Sequence, residues 1–241
     1  DKYEEARQLM EPLLNMQDVG IPIKPRALQA AIKTFSDRRD ATLATLRRMT
    51  RKPDFNPASS QQLQHAIFQE YGFSPIPGKI GKAGPSTDKD VLTALLSDAP
   101  VSSGVIPEKY QFIVNIKDYR KENATLTYLN NYDKHSKVSS LKRDSRRVII
   151  SSFSQTGTGP GRLSSQHPNT TNVGKKDMSN PFADDKNKIR ATLFAEILGI
   201  DIDHRFSLRN VFGPASGDQW TCIDYDQFQL RIFAIVSESY E

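Results

Sequence analysis

Trp220-Thr221-Cys222-Ile223-Asp224-Tyr225-Asp226-Gln227-Phe228-Gln229-Leu230-Arg231-Ile232 is the stretch on which the reading of this chain turns. Its first half is β-prone and its second half has helical spacing. It predicts a strand from Trp220 to Asp224 and a helix beginning near Gln227. A carboxylate at the end of such a strand is held by rigid backbone, which suits a hard cation that binds few carboxylates together with phosphate oxygens. Spacing alone leaves a second reading of Asp224 open, as the cap of the following helix.

Upstream of that junction, Leu208–Phe212 predicts a strand ending at Gly213-Pro214, and Ile189–Leu198 predicts a short helix inside the polar segment 174–205. Val148–Phe153 predicts another strand, fed by a loop over 133–147 that carries Lys134, Lys137, Lys142, Arg143, Arg146 and Arg147. A long helix is expected from Pro107 to about Tyr132. Residues 74–86 are rich in Pro, Gly and Lys and predict an extended loop, with Thr87 and Asp90 capping a helix through Val91, Leu92, Leu95 and Leu96. Ser59 and Gln62 have the spacing of a capping box before a short helix bearing Leu63, Ile67 and Phe68.

Nearer the start, Tyr3–Met16 places Ala6, Leu9, Met10, Leu13 and Leu14 on one helical face. Pro25 to Met49 does the same with Leu28, Ala31, Ile32, Phe35, Leu43 and Leu46. These two are expected to pair as an antiparallel hairpin whose far end carries Arg38, Arg39, Arg47, Arg48, Arg51 and Lys52.

Composition narrows the function classes. The 241 residues are 37% hydrophobic, enough for a real core, and no apolar run approaches the roughly 18 residues of a membrane span. Cys222 is the only cysteine, which excludes an intrachain disulfide and a thiolate zinc site. His65, His135, His167 and His204 have no metal-cluster spacing. The excess of 33 basic over 28 acidic residues, net +5, permits nucleic acid as a partner without requiring it. A cytoplasmic setting with no membrane partner is expected. Because the chain opens on Asp1, it is also expected to be a piece of something longer.

Residues 224–232 resemble motif A of family A DNA polymerases, usually DYSQIELRI. Thr158-Gly159-Pro160-Gly161-Arg162-Leu163-Ser164-Ser165 and Pro168-Asn169-Thr170-Thr171-Asn172-Val173 resemble that family's TGRLSS followed by PNLQNI. Phe55-Asn56-Pro57 with Gln62-Leu63 is similar to FNLxSxxQL, and Gly84-Pro85-Ser86-Thr87 to a later G-x-ST element. Four motifs in the family's order are far more specific than one. Their wording, with Val211-Phe212-Gly213-Pro214, is nearest to phage-type members.

The resemblance implies an α+β fold: a helical thumb with an incomplete antiparallel palm sheet of a right-hand polymerase, fingers absent. The expected division is a thumb hairpin over 1–55, connecting helices and the basic loop over 56–145, and a partial palm over 146–241. It further implies Asp224 as the catalytic carboxylate and, with the Tyr225 carbonyl, a ligand of Mg²⁺. Tyr225 and Gln229 are implied to contact the incoming deoxynucleoside triphosphate, Gln229 standing where the family usually has Glu. Primer-template DNA would be contacted by Arg162, Asn169, Thr171, Asn172, Gln155, Asn56, Ser59, Ser60, Ser86, Thr87, Arg120 and Arg231. Taken alone, a chain with one such carboxylate is expected to be inactive, completed either by the rest of a longer polypeptide or by a second chain carrying fingers and motif C. The reading from another class is a non-catalytic DNA-binding replisome accessory module.

Overall fold

A computed structural model describes residues 2–100, 106–139, 146–155, 157–158, 162–173, 206–214 and 217–221. In chain order the elements are α1 (Lys2–Val19), β1 (Ile21–Pro22), α2 (Pro25–Thr50) and α3 (Ser60–Gln64), which runs into a π-helical turn over His65–Glu70. A small hairpin follows, β2 (Ile80–Gly81) with β3 (Gly84–Pro85), then α4 (Lys89–Ser97) and α5 (Glu108–His135). After these come β4 (Ser136–Val138), β5 (Arg147–Ile149), β6 (Ser152–Ser154), β7 (Ser164–Gln166) and a 3₁₀ turn over Leu208–Val211.

Two long helices organise the rest. α2 begins with Pro25, whose fixed φ suits a first helical position and whose missing N–H would have had no partner there. It ends at Arg51, which takes a left-handed φ of 55° and donates back into the last turn. α5 lies along α2, and each contributes to both apolar cores. One core gathers Leu46, Phe55, Leu63, Ile67, Leu92, Phe112 and Ile116 around α3 and α4. The other joins Leu28, Phe35, Leu126, Leu129 and Tyr132 to Ile149 and Phe212, beside the β1-β5-β4 sheet.

Between the cores the α2–α5 seam is polar. Glu122 is 4% exposed, takes the Thr42 hydroxyl at 3.0 Å and faces the Arg38 Nε at 3.4 Å. Burial holds its carboxyl above the ordinary range. Asp118, one turn earlier on α5, is pushed up to about 7 by burial and then by Glu122, against the pull of Arg38, Lys121 and Lys117.

The sheets are small and antiparallel. β5 is the centre of the first, with Ile149 opposite both Ile21 and Ser136. β6 and β7 form a separate pair in which Ser152 faces Gln166 and Ser154 faces Ser164.

Several expectations are corrected. α2 buries its apolar face on α5, and α1 instead packs beside β6 with Leu9, Met10, Leu14, Met16 and Val19 exposed. Of the expected strand Leu208–Phe212, Leu208–Val211 is a 3₁₀ turn, started by Ser207 accepting from the Arg209 amide, and only Phe212 bridges, to Ile23. Val148–Phe153 is broken between β5 and β6, which lie in different sheets. Trp220 and Thr221 are not in a strand. The long helix runs on to His135. Asp224, Tyr225, Gln229, Arg231 and the 189–198 helix lie outside the described residues.

The seam makes stability depend on pH. Asp118 and Glu122 bind protons more tightly folded than unfolded, so their cost is absent at low pH. It grows as pH rises from the ordinary carboxylate range towards 7. Asp118→Asn is expected to raise stability by about 1–3 kcal/mol at pH 8 and to change it little at pH 4, measured by urea unfolding at both.

Candidate nucleic-acid interface

The candidate contact residues fall into two groups. The first surrounds the β6–β7 pair. Gln155 is half-buried just past β6, and Arg162 is exposed just before β7, its carbonyl held by the Thr158 hydroxyl at 2.7 Å. Beyond the other end of β7, about 10 Å along a three-residue strand, comes the turn Asn169–Asn172.

That turn is organised by Ser165, which is 2% exposed. Its hydroxyl accepts the amides of Thr170 and Thr171 at 2.8 and 2.9 Å and donates to the Thr171 hydroxyl at 3.2 Å. Ser151 and Thr170 share a further bond at 2.8 Å. At the rim, Asn169 Oδ1 accepts the Asn172 amide at 3.0 Å and the Thr171 hydroxyl at 3.3 Å. His167, in a left-handed conformation, leads into Pro168 through a cis peptide. The result is a fixed turn with Asn169, Thr171 and Asn172 exposed. Asn169 is thus half committed to shaping the turn, while its amide nitrogen and the Asn172 side chain face solvent.

The second group lies at the starts of α3 and α4. Asn56 Oδ1 accepts the Ala58 amide at 3.0 Å, and the Asn56 amide donates to Gln62 Oε1 at 2.7 Å. Ser59 caps α3 through the Gln62 amide at 3.5 Å. The Gln62 side chain therefore reaches Asn56 and not the Ser59 amide that a capping box would use. Ser60 is exposed as the first residue of α3. Beside it Lys52, Phe55, Gln61, Gln62 and His65 line an open cavity of about 270 Å³. Glu70 pairs with both Lys52 and His65, and the Lys52 ammonium lowers its carboxyl pKa.

At α4 the cap is Asp88, one residue from the expected Thr87: its carboxylate accepts the Val91 amide at 2.9 Å. Ser86 donates to that carboxylate at 2.9 Å, and the Val91 amide is the main cause of its lowered pKa. Thr87 is 8% exposed and receives the Arg120 guanidinium on its carbonyl and its hydroxyl. Arg120 thereby clamps α5 to the start of α4, with its own pKa lowered by burial. The β3 strand that leads to α4 passes the end of α3, where Gly84 approaches Gln64 so closely that a Cβ would lie 2.9 Å from Oε1.

Sequence reasoning missed Ser165, Asp88 and the Lys52–Glu70–His65 cluster. Ser165 stands in the quoted motif Thr158–Ser165, but nothing in the sequence separates its role from that of Ser164 beside it.

The architecture is that of an α+β domain with small antiparallel sheets, carrying two fixed polar turns. The sequence model described as DNA polymerase family A matches residues 25–241. DNA polymerase I of Treponema pallidum is 31% identical over 237 residues, covering 98% of this chain and 19% of that protein. DNA polymerase I of Caldicellulosiruptor bescii is 30% identical over 185 residues, 76% of this chain and 17% of the relative. The thermostable DNA polymerase I of Thermus aquaticus is 26% identical over 97% of the chain and 23% of its own length. In fold, the POL domain of Pol1 from M. smegmatis, solved in complex with DNA primer-template and dNTP, aligns over 70% of this chain and 27% of that one. Its TM-score is 0.55 and its identity 24%. This chain belongs to DNA polymerase family A, and it spans about a fifth of the length of the curated relatives it matches.

Removing the Ser165 hydroxyl leaves the half-buried Thr170 and Thr171 amides without this acceptor. Ser165→Ala is expected to cost about 1–3 kcal/mol in thermal unfolding, and Asn169→Ala at the exposed rim less than about 1 kcal/mol.

Proposed function

We propose that this chain is the primer-template-binding part of a template-directed DNA polymerase, which transfers nucleotidyl groups from deoxynucleoside triphosphates to a primer 3′ end. The observation that carries the reading is the Ser165-held turn within a chain of this family, with Arg162, Asn169 and Asn172 exposed along one β pair. In this reading residues 1–55 belong to the thumb, 56–145 to the helices and basic loop that connect thumb and palm, and 146–241 to the partial palm.

The residues have distinct tasks. Arg162 offers guanidinium donors to minor-groove acceptors, which are similar on every base pair, so pairing geometry is checked without reading sequence. Asn169 and Asn172 contact the strand beside it, and Gln155, at the Arg162 end of the β6–β7 pair, is a further contact to DNA. The Arg47, Arg48, Arg51 and Lys52 end of α2 adds attraction to phosphates of any sequence. Asn56, Ser59, Ser60, Ser86 and Thr87 set the two helix starts at which phosphates approach, and Arg120 positions Thr87.

The Asp224 carboxylate and the Tyr225 carbonyl are hard oxygen donors of the kind Mg²⁺ takes. When bound, that ion stabilises the charge developing on the transferred phosphate. Gln229 keeps the length of the family's Glu without its charge, which weakens a charge-assisted contact at the sugar. Arg231, within the stretch that resembles motif A, is assigned a contact with the DNA on that resemblance.

Primer extension with Mg²⁺ and deoxynucleotides tests the reading, using the protein expressed with its natural neighbouring coding sequence. Asp224→Asn is expected to lower extension by at least about a hundredfold with primer-template affinity retained. Arg162→Ala is expected to weaken that affinity about tenfold. Primer-template binding without extension in every form tested would favour an accessory DNA-binding module.

A further inference from the structure

A second cavity opens behind the Ser165-held turn. Its volume is about 240 Å³, below the range of pockets for drug-sized ligands and suited to a single planar ring system. Ile21, Val173 and Phe212 make its apolar side. Trp220, the only tryptophan in the chain, forms another wall and is 54% exposed. Asp218, two residues before it, pairs with Arg146 at 3.0 Å, which ties the tryptophan's segment to the residue that leads into β5.

The cavity also has one fixed cation. Arg209 Nε donates to the Val173 carbonyl at 3.2 Å, which sets the guanidinium plane. No ion pair of Arg209 occurs among the described residues. The remaining walls, Thr170 and Thr171, belong to the turn itself, and their hydroxyls are already used by Ser151, Ser165 and Asn169. They therefore shape the cavity and supply no free hydroxyl to a ligand.

An open aromatic face beside one pre-set guanidinium is the chemistry that takes a base by stacking and its phosphate by charge-assisted hydrogen bonds. We infer that this cavity takes one unstacked nucleobase of a DNA strand, with its ring on Trp220 and its phosphate on Arg209. The occupant is a strand and not a free nucleotide for two reasons. Thr170 and Thr171 lie between Asn169 and Asn172, so a strand on that turn is already at the mouth of the cavity. A triphosphate would also need more positive charge than one guanidinium. The inference rests on the reading of the turn as a DNA contact and adds a place for an unpaired base that this reading does not contain.

The single tryptophan gives a direct signal in the 241-residue chain. Three titrations follow emission, with anisotropy of a labelled duplex read in parallel: a primer-template with a single-stranded overhang, a blunt duplex of the same pairs, and dAMP. The overhang is expected to quench Trp220 emission, with the blunt duplex bound but silent and dAMP without effect at equal concentration. Arg209→Gln is expected to weaken the quenching titration about tenfold and to leave blunt-duplex anisotropy unchanged. Because that variant also loses the Val173 contact, a 5-iodouracil overhang photocrosslinked to the unaltered chain, with the adduct mapped to Trp220, supplies a test free of folding effects. Overhang binding by anisotropy without quenching or crosslink overturns the inference, as does equal quenching by dAMP. If no duplex binds at all, the DNA-contact reading beneath it fails as well.

Discussion

The packing of α2 along α5 is the contact on which the rest of this structure depends. Both apolar cores use both helices, so neither the α3–α4 region nor the sheet around β5 has a complete core without that pairing. The pairing is polar at the Gln29–Asp133 hydrogen bond of 2.8 Å further along the same pair and in the seam between the cores. Glu122, Thr42 and Arg38 satisfy one another there, which fixes the register of the two helices more sharply than apolar contact does. The cost is carried by Asp118, whose burial beside Glu122 opposes ionisation. A long helix pair with an ionisable seam is stable enough to carry a surface turn on each side while staying sensitive to pH.

Both candidate contact regions use the same local device. A short oxygen-bearing side chain takes two backbone amides and fixes a turn, and neighbouring polar side chains are left at the surface. Ser165 does this for Thr170 and Thr171, and Asp88 with Ser86 does it at α4. Asn56 and Ser59 do the same at α3 with one amide each. Binding of a polyanion favours such preformed turns, because less side-chain and loop entropy is lost on contact.

The sequence was legible where the local signal and the tertiary outcome agree. The α2 helix could be read because Leu28, Phe35 and Leu46 repeat on one face and do face a core, whereas α5 buries Tyr110, Phe112, Ile113, Val114 and Ile116 on more than one face and was legible only as a long helix. The α1 helix could also be read, but not its packing, since spacing shows that Leu9 and Leu14 share a face without showing what covers it. Leu208–Phe212 misled for a related reason. Leu208, Val211 and Phe212 are buried, but Ser207 offers the backbone a cap that wins over pairing, so burial is reached through a 3₁₀ turn. At the candidate site, motif order located Arg162, Asn169 and Asn172 near one β pair, while the role of Ser165 depends on hydrogen bonds that only the folded turn reveals. The same holds for Arg120, whose inward clamp on Thr87 no charge pattern distinguishes from a solvated arginine.

Hydrogen–deuterium exchange of the protein with and without primer-template DNA, read by peptide, tests the central claim most directly. If the Ser165-held turn contacts DNA, peptides covering residues 162–173 slow their exchange on binding while those covering α1 do not. Unchanged exchange over 162–173, with bound DNA protecting other segments, would contradict it.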